Sequence, residues 1–175
     1  MVVSCGSRLQ TGFVGTPYLL HVLSSYGHTD LAYTLLLRTE YPSWLYPVTK
    51  GATTVWEHWD GIMENGDFWS SDMNSFNHYA YGAVADWVYT VAAGIQTVEE
   101  KPGYAAVRIA PQPDKRLDWL EASVEARHGL VRSRWEKQRD MWRYEIETPV
   151  EAEVVIDGRK TFCRPGRYIF FSELA

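Results

Sequence analysis

Residues 53–82 read TTVWEHWDGIMENGDFWSSDMNSFNHYAYG and hold most of the side chains that could do chemistry. Glu57 stands between Trp56 and Trp59, in a segment bounded by Gly51 and Gly61. No helical periodicity is sustained there, so the segment predicts a loop, and loops held on a rigid scaffold are where reactive groups tend to sit. A carboxylate among indole rings is partly stripped of water and becomes a better base. The rings, in turn, offer flat apolar faces to the C–H surfaces of a pyranose, so the cluster would suit a sugar. The other reading is structural: Trp56 and Trp59 anchor the loop while Glu57 faces water or pairs with a cation. On local sequence alone that is the commoner outcome.

His78 lies in NSFNHYAYG, where Asn74 or Ser75 predicts a cap and His78 falls in the first turn of a helix. An imidazole there could hydrogen-bond a sugar hydroxyl, and a His packed among Phe76, Tyr79 and Tyr81 as a core group fits the same pattern. Asp60, Glu64, Asp67 and Asp72 make the intervening loop acidic, but their spacing does not fit a calcium loop. No metal and no cofactor is expected. TGFVGTP, residues 11–17, has two glycines before a helix but no Lys after them, so it reads as a packing turn rather than a phosphate loop.

The elements that must position these groups change character near EEKPGY, residues 99–104. Before it, Phe76, Tyr79, Ala80, Ala83, Val84, Trp87, Val88 and Val91 form a stripe that predicts a long helix ended by Gly94. An earlier helix should begin with Thr16 as cap and Pro17 in its first turn, bury Leu19, Val22, Leu23 and Tyr26, and stop at Gly27. Another should start at Thr29 or Asp30, and a short turn should precede the limit set by Pro47. After residue 100 the period becomes two. Ala122, Val124 and Ala126 alternate with polar residues, as do Trp142, Tyr144 and Ile146. Turns at His128-Gly129 and Asp157-Gly158, with VRIAP, EVVID and RYIFF, predict about six strands of an antiparallel β domain.

Composition excludes several classes. Lys and Arg number 17 against 22 Asp and Glu, without a basic stripe, so neither nucleic acid nor an anionic membrane is expected as a partner. Eight Trp and eleven Tyr exceed the needs of an ordinary core and call for a ligand site or an interface. Cys5 and Cys163 have no partner at metal-ligand spacing and read as unpaired thiols of a reducing compartment. With no signal-like start and no run long enough to span a bilayer, a cytoplasmic location is expected.

Taken in order, TGFVGTPYLL, GHTDLAYTLLL, YPSWLYPVTKGATTVWEHWDG, MNSFNHYAYGAVADWVY and PGYAAVRIAPQP resemble the C-terminal portion of bacterial α-L-rhamnosidases, glycoside hydrolase family 78. The resemblance runs from about Thr11 to the end of the chain and is most specific between Tyr41 and Tyr89. It implies a mixed α and β fold: residues 1–100 as the C-terminal part of an (α/α)6 catalytic barrel, and residues 101–175 as a C-terminal antiparallel β-sandwich. It also implies inverting hydrolysis of terminal α-L-rhamnosides, with Glu57 as general base, His78 touching the sugar, and Trp56 and Trp59 binding substrate. The family's general acid belongs to an upstream motif that nothing before Thr11 matches. The chain alone is therefore expected to be inactive, and to self-associate or pair with a missing barrel segment through uncovered apolar faces. Two alternatives differ in class: a non-catalytic carbohydrate-binding or assembly module left by a truncated or split gene, and another (α/α)6 glycosidase with a different sugar preference.

Overall fold

A computed structural model describes Gly6 and residues 8–174. Cys5 lies outside the described residues. The chain divides into two compact units, Met1–Ala85 and Asp86–Ala175.

The first unit opens with α1 (Thr16–Ser25) and α2 (Thr29–Leu36), which pack on each other. Pro17 sits in the first turn of α1, where its fixed φ suits a helix and its missing N–H costs nothing. Thr16 is the first helical residue rather than the cap; its Oγ1 donates back to the Gly12 carbonyl at 2.8 Å. The helix ends as its sequence predicts. Gly27 takes φ +81°, its N–H reaches the Ser24 carbonyl, and the His28 N–H reaches the Leu23 carbonyl at 2.8 Å, the paired bonds of a Schellman cap. The buried face differs from expectation: Thr16 and Leu20 are buried, whereas Val22 and Tyr26 are exposed in a row with Tyr18. α1 is apolar on most sides, so periodicity alone does not decide which side packs. α2 starts at Thr29 with His28 as its flanking residue and buries Ala32, Tyr33 and Leu35. A short α3 (Leu45–Thr49) follows.

The predicted long helix is broken up. It begins only at a 3₁₀ turn (Ala80–Ala83), passes through α4 (Val84–Trp87), and ends in a π turn (Val88–Ala92). Tyr79, expected on the buried stripe, is 88% exposed. Residues 75–78 are not helical because their backbone bonds to residues 54–57 instead, as described below.

In the second unit two four-stranded sheets enclose one core. One sheet has the order β1-β2-β6-β7, from β1 (Ile95–Thr97), β2 (Val107–Ile109), β6 (Ala152–Ile156) and β7 (Arg159–Cys163). The other has the order β3-β4-β5-β8, from β3 (Trp119–Ala126), β4 (Gly129–Gln138), β5 (Met141–Thr148) and β8 (Gly166–Glu173). Among the described residues eight strands thus replace the six expected, and the pairing is antiparallel except between β2 and β6, which run parallel. The chain leaves β2, builds the β3-β4-β5 meander, and returns in the same direction, a long connection of the kind a parallel pair requires. Both predicted hairpin turns form: Gly129 opens β4, and Asp157 and Gly158, at φ +47° and +74°, join β6 to β7. Ile109, Val154, Cys163, Val131, Trp135, Tyr144 and Ile146 meet in the core, drawn from both sheets.

Two β4 side chains close the end of the π turn. Trp135 Nε1 donates to the Ala92 carbonyl at 2.8 Å and Ser133 Oγ to the Ala93 carbonyl at 2.7 Å, satisfying acceptors that a helix end leaves open. Gly94 follows at φ +76°, and a Cβ there would lie 2.2 Å from Ala110 C and Pro111 N. The outer face of β3-β4-β5 is a mosaic of ion pairs. Glu121 accepts from Arg132 at 2.7 Å and Arg134 at 3.3 Å, Glu136 accepts from Arg134 at 2.6 Å and Arg143 at 3.1 Å, and Arg143 also donates to Glu145.

Two predictions follow from this packing. Gly94→Ala should destabilise the chain by at least about 3 kcal/mol, because backbone strain and a clash with backbone atoms add. Gly158→Ala, also at positive φ but with open space around it, should cost only about 1 kcal/mol. Urea unfolding of the two variants checks the contrast. The second concerns acid. Arg132, then Arg134, holds the Glu121 carboxyl below its ordinary range, and Arg134, then Arg143, does the same for Glu136. Their contribution is therefore complete above the ordinary carboxylate range and is lost as pH falls through the depressed values. Arg134→Gln should lower stability at neutral pH, leave it nearly unchanged in strong acid, and so flatten the acid limb of stability against pH.

Candidate active site

The site segment is pinned by a short backbone pairing. His78 N–H donates to the Val55 carbonyl at 2.8 Å and Glu57 N–H to the Ser75 carbonyl at 2.9 Å, so residues 55–57 and 75–78 run antiparallel. Thr54 Oγ1 adds a bond to the Phe76 carbonyl. Ser75 N–H in turn donates to Glu57 Oε2 at 3.2 Å. Glu57 and Ser75 therefore hold each other through backbone and side chain at once. The pairing brings Glu57 and His78, twenty-one positions apart in sequence, onto neighbouring stretches of chain.

The loop between them closes on itself. Trp69 N–H and Asn74 Nδ2 both donate to the Gly61 carbonyl, at 3.2 and 2.8 Å, and Met63 N–H donates to Asp67 O at 2.8 Å. Space at Gly61 is tight: a Cβ would lie 3.1 Å from Trp56 and 3.2 Å from both Asn74 Oδ1 and Phe76, so those side chains would have to give by a few tenths of an ångström. His58 stacks on Trp69 with ring centroids 3.7 Å apart.

The two tryptophans that flank Glu57 differ. Trp56 is 5% exposed, with its ring edge-on to Phe76 at 5.0 Å, and packs the loop onto the unit. Trp59 is half-buried and stacks on Tyr81 at 3.6 Å and 16°, with Trp44 edge-on at 5.5 Å. Trp44 is itself fixed by a 2.9 Å bond from Nε1 to the Tyr81 carbonyl. Trp59 and Tyr81 border a cavity of about 460 Å³, together with Arg8, Gln10, Thr11 and Tyr41, within the usual size range of ligand pockets. Burial, and then the Asp60 carboxylate, holds the Tyr41 hydroxyl above the ordinary phenol value, while burial and then Tyr41 does so for Tyr81. Both phenols keep their protons and can donate.

His78 precedes the 3₁₀ turn instead of opening a long helix. Its Nδ1 accepts from Ala80 N–H at 3.3 Å, and its ring stacks between Phe13, at 4.9 Å, and Tyr79, at 5.3 Å. That leaves Nε2 as the atom without a bond among the described residues. Tyr41 and Trp44 escaped the sequence reading, and Tyr81 entered it only as a neighbour of His78, because their link to Trp59 is through space. The only local signal was the aromatic density of YPSWLYP. Among the described residues no three His, Cys, Asp or Glu side chains gather as a metal site would need, and no helix is long and apolar enough to cross a membrane.

Residues 1–92 match the bacterial alpha-L-rhamnosidase 6 hairpin glycosidase domain, and residues 94–165 match the bacterial alpha-L-rhamnosidase C-terminal domain. An alpha-L-rhamnosidase of Streptomyces avermitilis is 48% identical over 131 residues, which cover 75% of this chain and 12% of that protein. One from Formosa agariphila is 39% identical over 159 residues, 89% of this chain and 17% of its own length. The crystal structure of the Streptomyces avermitilis alpha-L-rhamnosidase complexed with L-rhamnose superposes with a TM-score of 0.89 at 36% identity, covering 98% of this chain and 19% of that one. The native Aspergillus terreus enzyme superposes at 0.91 and 32% identity, covering 97% of this chain and 20% of that one. The chain thus spans less than a fifth of the length of these curated relatives. Both units match, in order, domains of one kind of glycoside hydrolase, and the chain belongs to the bacterial α-L-rhamnosidase family.

Proposed function

We propose that this chain forms part of an α-L-rhamnosidase that hydrolyses terminal α-L-rhamnosides with inversion, and that Glu57 is the general base. The observation that carries this reading is the hold on Glu57: Ser75 N–H fixes Oε2 at 3.2 Å, while Oε1 has no partner among the described residues. A carboxylate fixed at one oxygen keeps the other in place for a water molecule. In an inverting hydrolysis the base takes a proton from that water as it attacks the anomeric carbon. The acid, roughly 6.5–9.5 Å from the base, protonates the departing oxygen. We assign the acid to an upstream segment, so the 175 residues carry the base without its partner and are inactive alone.

In this reading His78 uses its unbonded Nε2 on a sugar hydroxyl, and Trp59, backed by Tyr81, bounds the space in which rhamnose sits. Trp56 contributes by holding the loop from within rather than as a sugar platform, since its ring is buried. The first unit acts as the C-terminal part of an (α/α)6 barrel and the second, with β1 included, as a β-sandwich. The exposed row Tyr18, Val22 and Tyr26 is where further barrel helices, or a second copy, would pack.

Calorimetric titration of the chain with L-rhamnose should show binding that weakens at least about tenfold, a loss of roughly 1.4 kcal/mol or more, in Glu57→Ala and in His78→Ala. Absence of binding to the unaltered chain would overturn the retained half-site in favour of an assembly module. Incubation with p-nitrophenyl α-L-rhamnoside should release no nitrophenol; turnover that vanishes in Glu57→Gln would keep the base and overturn the missing acid.

A further inference from the structure

Outside the candidate active site, the second unit carries a cavity of about 610 Å³ on the outer side of its β1-β2-β6-β7 sheet. Its floor is a row of residues set by strand register: Arg108 on β2 lies opposite Glu153 on β6, and Glu153 lies opposite Phe162 on β7. Strand alternation turns Cys163 into the core and Phe162 outward, where its ring is 81% exposed. Arg108 Nη1 pairs with Glu153 Oε1 at 3.4 Å, and Lys160 Nζ donates to Glu153 Oε2 at 3.3 Å. Val98 and Ala106 supply apolar wall, and Arg164 stands at the margin.

We infer that this cavity is a second saccharide-binding site, with Phe162 as the stacking ring and the Arg108–Glu153 pair as the group that recognises hydroxyls. A pyranose offers an apolar C–H face and a rim of hydroxyls, each both donor and acceptor. The surface that matches it has an accessible ring beside a donor fork and an acceptor held next to each other. This row has that arrangement, and the cavity is of ligand size, with polar and apolar side chains mixed along its lining. Arg108 is held by Glu153 through one nitrogen only, and its side chain is 43% exposed, so guanidinium donors remain available. Positive and negative groups nearly balance along the lining, which favours neutral hydroxyls over a free ion. The site shares no residue with the Glu57 loop and stands whether or not the reading of that loop holds.

The test is an amide-resolved NMR titration of the whole chain with L-rhamnose, D-galactose and D-glucuronate, each to tens of millimolar. At least one sugar should give saturable shifts at the amides of Arg108, Glu153 and Phe162. Phe162→Ala, which removes an exposed ring and leaves the core untouched, should weaken that response at least tenfold, as should Arg108→Gln. Glu57→Ala should leave it unchanged, which separates this site from the active-site reading. Absence of saturable shifts with all three sugars, or shifts that persist in Phe162→Ala, would overturn the inference.

Discussion

The antiparallel hold between residues 55–57 and 75–78 is the constraint on which the candidate site rests. Three backbone and side-chain bonds there fix where the chain leaves and re-enters the acidic loop, and one of them ends on the Glu57 carboxylate itself. The same segment takes up the Ser75 and Phe76 carbonyls, through Glu57 N–H and Thr54 Oγ1, which a helix starting at Ser75 would have used to accept its first intrahelical bonds. The helix therefore begins five residues later, His78 is left outside it, and its imidazole is placed by stacking with Phe13 and Tyr79. Gly61, with no side chain, lets Trp56 press close beneath the loop.

The second unit is organised around a different demand, that of satisfying buried carbonyls. Trp135 and Ser133 reach from β4 to the end of the π turn, and Gly94 lets the chain pass against Ala110 without a side chain between. The 3₁₀, α and π segments in series are the local cost of fitting an aromatic-rich run to these contacts.

Much of the β unit was legible because strand alternation and Asp-Gly turns act over a few residues. The Schellman stop of α1 was legible for the same reason, since Pro17 and Gly27 act through their own dihedral angles. What was not legible depended on partners distant in sequence. Nothing in residues 76–91 announces that residues 54–57 will claim their backbone, and nothing in the composition of α1 separates Leu20 from Val22. The parallel run of β2 beside β6 is equally invisible, because it follows from a connection built of three other strands. At the site, local pattern left both Glu57 and His78 open to a structural reading, and the long ordered resemblance carried the functional one. Trp56 and Trp59 look alike in sequence; the difference between a buried support and a cavity wall came from Phe76 and Tyr81.

The ion-pair mosaic on β3, β4 and β5 has a consequence for how the molecule meets others. Arg132, Arg134 and Arg143 are interleaved with Glu121, Glu136 and Glu145, three of each sign within a few ångströms. Beyond about 10 Å, the screening distance at moderate ionic strength, their fields largely cancel. That face neither draws in nor repels a charged molecule from afar, so whatever docks there arrives by unsteered diffusion and is selected by contact alone.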